Sequence, residues 1–237
     1  MFYYIDGGYM KYVLITGASS SLGCEIAKIF ANSNYNIILG YHFNKESVLK
    51  LSNKIKNNYG VNVIVEQIDI TNEECVKNLF NKYDIEILIN NAALSNDNYI
   101  EDKSYDEFMK VVSVNLGGTY LMCKYAESAK YIINISSRDG IDTYSPISLD
   151  YSSSKAGIIN LSKNLSLCYK DKIIYCVCPG WINTDSVLDM NQDYLKLEME
   201  RVGQTKLLDK CDVAYKIYSL IDSNIESGSV VIIDEEE

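Results

Sequence analysis

The sequence predicts an α/β fold in which a seven-stranded parallel sheet is doubly wound, with helices on both faces. Three observations carry that prediction. Short strand-like runs alternate with helical patterns along the chain. The runs carry apolar residues on both faces rather than a strict apolar–polar alternation, as strands buried between two helix layers do. The first run also passes through a Gly- and Ser-rich turn directly into a helix. At 237 residues the chain suits one domain of this kind, and no linker, repeat or low-complexity stretch divides it.

Lys11–Thr16 (KYVLIT) reads as the first buried strand. The turn Gly17-Ala18-Ser19-Ser20-Ser21-Leu22-Gly23 follows, and Leu22 to Asn32 reads as a helix whose apolar stripe is Ile26, Ala27, Ile29 and Phe30. Asn36–Gly40 is a second strand, and Lys45–Tyr59 an amphipathic helix stopped by Gly60. Asn62–Ile68 is the third strand, followed by Asp69-Ile70-Thr71 and a helix over Glu73–Asn81. Ile85–Ile89 is the fourth. Tyr105–Lys124 reads as one long helix interrupted at Gly117-Gly118, and Tyr131–Ile135 as the fifth strand. Tyr151–Leu167 is a further helix, Lys172–Val177 the sixth strand and Ser229–Ile233 the seventh. Residues 1–10 form no clear element and are expected to be an N-terminal extension, either disordered or preceding a natural start at Met10. The catalytic domain is expected over residues 11–237.

Charge and composition exclude several classes of function. With 22 basic and 32 acidic residues the net charge is −10, and no basic stripe is visible. Nucleic acid is therefore not an expected partner, nor is an anionic membrane surface. No apolar run is long enough to span a bilayer, and residues 1–10 lack the pattern of a signal peptide. The seven cysteines are odd in number and match no zinc spacing. They read as small buried hydrophobes in a reducing cytoplasm, and no metal site is expected.

The chemistry is concentrated at the ends of strands. A Gly-rich turn between a first strand and a helix lets backbone N–H groups approach a pyrophosphate at the positive helix end. An acid expected at the end of the second strand, to bind a ribose hydroxyl, is absent from Tyr41-His42-Phe43-Asn44-Lys45. His42 and Lys45 are instead candidates to face a 2′-phosphate, which tilts the expectation toward NADP(H) over NAD(H). Tyr151 and Lys155 lie four apart on one helix, hence on one face. An ammonium beside a phenol favours the phenolate, and a tuned Tyr passes a proton to or from a carbonyl oxygen. Ser136 and Ser137 close the fifth strand, where a hydroxyl orients a substrate carbonyl.

These segments, taken in order, resemble the short-chain dehydrogenase/reductase family in its compact, single-domain Rossmann-type branch, from about Lys11 to Ile233. Thr16–Gly23 resembles the family's T-G-x-x-x-G-x-G cofactor loop, Asn90-Asn91-Ala92-Ala93 its N-N-A-G segment, and Pro179-Gly180-Trp181-Ile182-Asn183-Thr184 its P-G-x-I-x-T stretch. The resemblance implies a catalytic tetrad of Asn115, Ser137, Tyr151 and Lys155, with Ser136 as the alternative serine. It implies a dinucleotide held by Gly17, Ser19, Ser20, Ser21, Leu22, Gly23, Tyr41, His42, Asp69, Ile70, Asn91, Ala92, Ala93, Pro179, Gly180, Ile182 and Thr184, with Tyr151 and Lys155. Asp69 would hold the adenine ring, Lys155 the nicotinamide ribose, and Asn115 a water linking Lys155 to solvent. Thr184 and Ile182 would position the carboxamide.

Ser21 stands at the family's middle glycine, where a side chain is expected to crowd the pyrophosphate or reshape the loop. Ser20 stands where NADP-preferring relatives often carry Arg. Residues 185–204 are expected to be a mobile lid, with Met190, Tyr194, Leu195 and Met199 either lining the substrate site or packing on the core. The expected activity is hydride transfer between NAD(P)(H) and a small carbonyl or alcohol, by a homodimer or homotetramer. The rival activities are 3-oxoacyl-carrier-protein reduction and cofactor-dependent regulation without turnover.

Overall fold

The computed structural model describes residues 4–5, 8–9 and 11–235. Its frame is a seven-stranded sheet of β3 (Tyr12–Ile15), β4 (Asn36–Tyr41), β5 (Val63–Gln67), β6 (Ile85–Asn90), β7 (Tyr131–Ile135), β8 (Ile173–Pro179) and β9 (Val230–Ile233). Every pair is parallel, in the order β5-β4-β3-β6-β7-β8-β9. The helices are α1 (Ser21–Asn32), α2 (Lys45–Tyr59), α3 (Glu73–Lys82), α4 (Tyr105–Val112), α5 (Thr119–Tyr125), α6 (Leu149–Cys168), α7 (Asp185–Leu188), α8 (Gln192–Arg201) and α9 (Lys210–Ser219). The predicted strands and helices agree in type and order, with ends displaced by a residue or two.

Both faces of the sheet are covered, so its strands divide their side chains between two apolar layers. Val13, Ile15, Ile37 and Leu39 enter one layer with Ile26, Phe30 and Ile217, while Tyr12, Leu14 and Ile38 enter the other with Val76, Leu79 and Met122. This explains the apolar residues on both faces of the central strands, which are largely shielded from water. Cys176 and Cys178 share a face of β8, both fully buried against Ile158, as small apolar residues.

Two local differences from the sequence expectation stand out. The chain opens with a two-residue antiparallel pair, β1 (Tyr4–Ile5) with β2 (Gly8–Tyr9). These segments carry no alternation by which a sequence pattern registers a strand. Met10, the proposed start, lies outside the described residues. The long helix over 105–124 is not broken at Gly117-Gly118. It passes instead through a π-helical turn, Ser113–Gly118, before α5. A Cβ on Gly118 would stand 2.6 Å from the Ile70 side chain, so close packing accounts for that glycine.

The strand order reverses between β3 and β6. A doubly wound sheet opens a crevice at such a switch point, beyond the carboxyl ends of its strands. The glycine turn after β3 and Asn91–Ala93 after β6 therefore face each other there.

Candidate active site

The glycine turn is knitted to β6 by hydrogen bonds. The Thr16 hydroxyl accepts from the Asn91 and Ala92 N–H groups, both at 3.0 Å. The Asn91 amide donates to the Thr16 carbonyl at 2.9 Å, the Gly17 carbonyl at 3.1 Å and the Ser20 hydroxyl at 3.2 Å. Ser20 caps α1 by accepting from the Gly23 N–H at 3.1 Å. Gly17 has φ +63°, and a Cβ there would stand 2.8 Å from Ala92 Cα. At Gly23 a Cβ would stand 2.5 Å from the Gly17 carbonyl oxygen. The turn thus needs glycine at both positions, once for backbone conformation and once for close approach.

Ser21 does not line either cavity. Its hydroxyl accepts from the Asp185 N–H at 3.3 Å, so the first residue of α1 is tied to the segment after β8.

Behind the turn lies a cavity of about 670 Å³, lined among others by Gly17, Ser19, Ser20, Tyr41, His42, Asp69, Ile70 and Asn91–Ala93. The Asp69 carboxylate accepts from the Thr71 hydroxyl at 2.6 Å and the Thr71 N–H at 2.9 Å. Those bonds hold its carboxyl below the usual range. His42 and Phe43 stack at the rim, ring centres 4.0 Å apart. Lys45, the other candidate for a 2′-phosphate, does not line the cavity.

The second cavity, of about 380 Å³, meets the first at Asn91 and Ala93. Its walls bring together Leu22, Ser137, Tyr151, Lys155, Pro179, Gly180, Ile182 and Thr184, residues far apart in sequence. Lys155 is 2% exposed. Its Nζ donates to the Ile135 carbonyl at 2.8 Å and lies 5.3 Å from the Tyr151 ring centre. Burial lowers the Lys155 pKa to about 8.

Burial also pushes the Tyr151 phenol above its ordinary range; the Asp139 carboxylate adds to the rise, and a hydrogen bond with Ser137 opposes it. The expected net lowering of the phenol is not what this geometry gives, because burial of the phenol prevails.

Ser137 and Ser136 are now distinguished. Ser137 reaches Tyr151, whereas the Ser136 hydroxyl is 2% exposed and donates to the Lys155 carbonyl at 2.8 Å. Asn115, fully buried in the π-helical turn, accepts from the Leu94 N–H at 2.8 Å and donates to the Leu94 carbonyl at 2.9 Å and the Ser154 hydroxyl at 3.0 Å. Ser154 in turn donates to the Tyr151 carbonyl at 2.7 Å. Asn115 therefore ties the loop after β6 to the helix that carries Tyr151.

Several residues escaped the sequence reading. Asp150 is fully buried and pairs with Lys103 at 2.7 Å, pinning residue 103 to the start of α6. Gln204 secures the stretch after β8, donating to the Trp181 carbonyl at 2.7 Å and accepting from its N–H at 2.7 Å. Asp97, Asp139 and Thr143 line the second cavity. Only Asp139, two residues after Ser137, gave a local signal. Of the four residues named for the lid, Met190 lines the cavity, while Leu195 is 4% exposed and packs inward.

Known proteins share this arrangement. The profile of the short chain dehydrogenase family matches residues 11–195. The chain is 29% identical to the 3-oxoacyl-(acyl-carrier-protein) reductase of Chlamydia trachomatis, over 94% of this chain and 96% of that protein. It is 32% identical to 3beta-hydroxysteroid dehydrogenase 1 of Eggerthella lenta, over 73% and 71%. A Sinorhizobium meliloti dehydrogenase/reductase superposes with TM-score 0.87 at 22% identity, over 97% of this chain and 94% of that one. ElxO superposes with TM-score 0.78 at 28% identity, over 95% and 97%. The chain belongs to the short-chain dehydrogenase/reductase family and is an NAD(P)(H)-dependent oxidoreductase of carbonyl and alcohol groups.

Proposed function

We propose that this enzyme reduces a small carbonyl compound with NADP(H), using Tyr151 as the proton donor. The observation that carries the reading is the convergence of Ser137, Tyr151 and Lys155 on a pocket that opens into the cavity behind the glycine turn.

The residues fit a dinucleotide. Gly17 and Gly23 let the turn close tightly on itself and on Ala92, so that the N-terminus of α1, with its positive dipole, stands beside the cavity. Asp69 and Ile70 suit the adenine end; Pro179, Gly180, Ile182 and Thr184 suit the nicotinamide end. Bound there, the cofactor supplies the hydride.

The chain's own contribution is proton delivery and positioning. Burial and Asp139 keep the Tyr151 phenol protonated, the state that a donor to a carbonyl oxygen requires. Ser137, hydrogen-bonded to that phenol, shares the substrate oxygen and aims it. Lys155 brings a positive charge that offsets the phenolate left after donation. Asn115 and Ser154 hold the helix carrying Tyr151 in register.

Two observations support NADP(H). Residues 40–44 put His42 and no carboxylate against the cavity, and a carboxylate there would repel a 2′-phosphate. The structure of ElxO, 28% identical, holds NADP. A second reading, reduction of 3-oxoacyl groups on an acyl carrier protein, is favoured by the names of the Chlamydia and Rickettsia relatives. The net charge of −10 opposes it, because carrier proteins are themselves acidic.

Trp181, the single tryptophan, lines the pocket and reports binding by fluorescence. Titration is expected to give NADPH an affinity about tenfold or more above that of NADH, followed by oxidation of NADPH with small ketones. Tighter NADH binding would overturn the cofactor assignment. Binding without turnover of any carbonyl would overturn the reductase in favour of a regulatory protein.

A further inference from the structure

The substrate side of the pocket carries two carboxylates, Asp97 and Asp139. The Asp139 carboxylate accepts from the Ser137 hydroxyl at 3.1 Å, and its charge is felt at both Tyr151 and Lys155. Asp97, on the same pocket, accepts from the Ser148 hydroxyl at 2.9 Å. Among the described residues neither forms an ion pair. Arg138 lines the wall but is already held by Asp142 at 2.8 Å and Asp234 at 2.6 Å. Burial raises the Asp139 carboxyl above its usual range and the Asp97 charge adds to the rise, while the Ser137 hydrogen bond and the Lys155 charge oppose it. A carboxylate so placed gains from a cation beside it.

A second observation points to a ligand in the same place. Thr143 lines this pocket, is 2% exposed, and its hydroxyl has no hydrogen-bond partner. Buried hydroxyls are rarely left unpaired, because desolvation without a partner is unfavourable. A polar group on the substrate would complete it.

We infer that the substrate is an amino ketone, or the matching amino alcohol, whose protonated amine sits against Asp97 and Asp139 while its carbonyl oxygen faces Tyr151. Val187 and Met190 on the opposite wall suit a short carbon skeleton. The same two carboxylates disfavour keto acids and phosphorylated carbonyl compounds. This assignment rests on the reductase reading above.

The test is a matched ketone series with NADPH: piperidone, cyclohexanone, a hydroxycyclohexanone and an oxocyclohexane carboxylate. For the intact enzyme kcat/KM is expected to favour piperidone over cyclohexanone by about tenfold or more, the size of one charge-assisted hydrogen bond. That ratio should fall toward unity in Asp139→Asn and in Asp97→Asn, each checked for native circular dichroism, so that either folded variant suffices. Equal or better turnover of the hydroxy ketone or the keto acid would overturn the inference, as would an unchanged ratio in a folded variant. Reduction of cyclohexanone without any preference would sink the amine assignment alone. Failure to reduce all four ketones would sink the reductase reading with it.

Discussion

Lys155→Met should make the protein more stable while disabling it. Lys155 is 2% exposed, and its pKa falls from an ordinary 10.5 to about 8 because burial penalises the ammonium. That lowering, at about 1.4 kcal/mol per pH unit, corresponds to about 3 kcal/mol of folding free energy withheld at neutral pH. Methionine removes that penalty and keeps most of the apolar stem, but it leaves the Ile135 carbonyl without its 2.8 Å donor, a loss of about 1–2 kcal/mol. The variant should therefore be more stable by roughly 1–2 kcal/mol at pH 7. The sign of the pH dependence follows from proton counting. Below pH 8 the lysine is charged in both folded and unfolded chains, so the full penalty applies. Between 8 and 10.5 the unfolded chain holds a proton that the folded one lacks, and wild-type stability rises with pH. The variant's advantage should thus be full at pH 7 and absent or reversed at pH 10, where the lost Ile135 hydrogen bond outweighs what remains of the penalty. Urea unfolding at both values measures it. A variant less stable than wild type at pH 7, or an advantage unchanged at pH 10, would refute the reasoning.

Other expectations follow from the same contacts. Lys103→Met leaves Asp150 buried and unpaired, and should lower stability by about 3–5 kcal/mol in urea unfolding, with partial recovery in the double variant with Asp150→Asn. A loss under about 1 kcal/mol would show that the pair does not hold residue 103 to α6. Gly23→Ala places a Cβ 2.5 Å from the Gly17 carbonyl, so the turn must shift, and NADPH affinity should fall by about tenfold or more in a Trp181 fluorescence titration. NADPH binding should weaken as pH rises through about 8, because Lys155 then loses the charge that attracts the anionic dinucleotide. An affinity flat from pH 7 to pH 9 would argue against that role.

The parts of the fold legible in the sequence are those governed by short-range periodicity and turn chemistry. The apolar runs at Tyr12–Ile15, Ile85–Asn90 and Tyr131–Ile135 announced central parallel strands, because burial on both faces removes polar residues. Gly17, Tyr151 and Lys155 were legible because backbone conformation and helical spacing are local properties. The π-helical turn was not: Ser113–Gly118 looks like ordinary helix, and what it accomplishes, aiming Asn115 at Leu94 and Ser154, involves residues distant in the chain. The contact of Ser21 likewise depended on Asp185, far along the sequence, so its identity as a departure from the glycine pattern could be read but not its tie to that segment. The tuning of Tyr151 was misjudged for the same reason. The sequence places Lys155 one turn away, but only the fold shows how burial and the Asp139 charge act on the phenol.

The central claim is that Tyr151 delivers the proton. Tyr151→Phe removes one hydroxyl and leaves Ser137, Lys155 and the cofactor cavity in place. The decisive measurement is single-turnover oxidation of bound NADPH by a ketone that the wild-type enzyme reduces, with NADPH affinity read from Trp181 in the same samples. Tyr151→Phe is expected to leave the affinity unchanged to within about threefold and to lower the rate by about 10²–10⁴-fold, the usual contribution of a positioned proton donor. A Tyr151→Phe enzyme that binds NADPH and keeps more than about a tenth of the wild-type rate would contradict it.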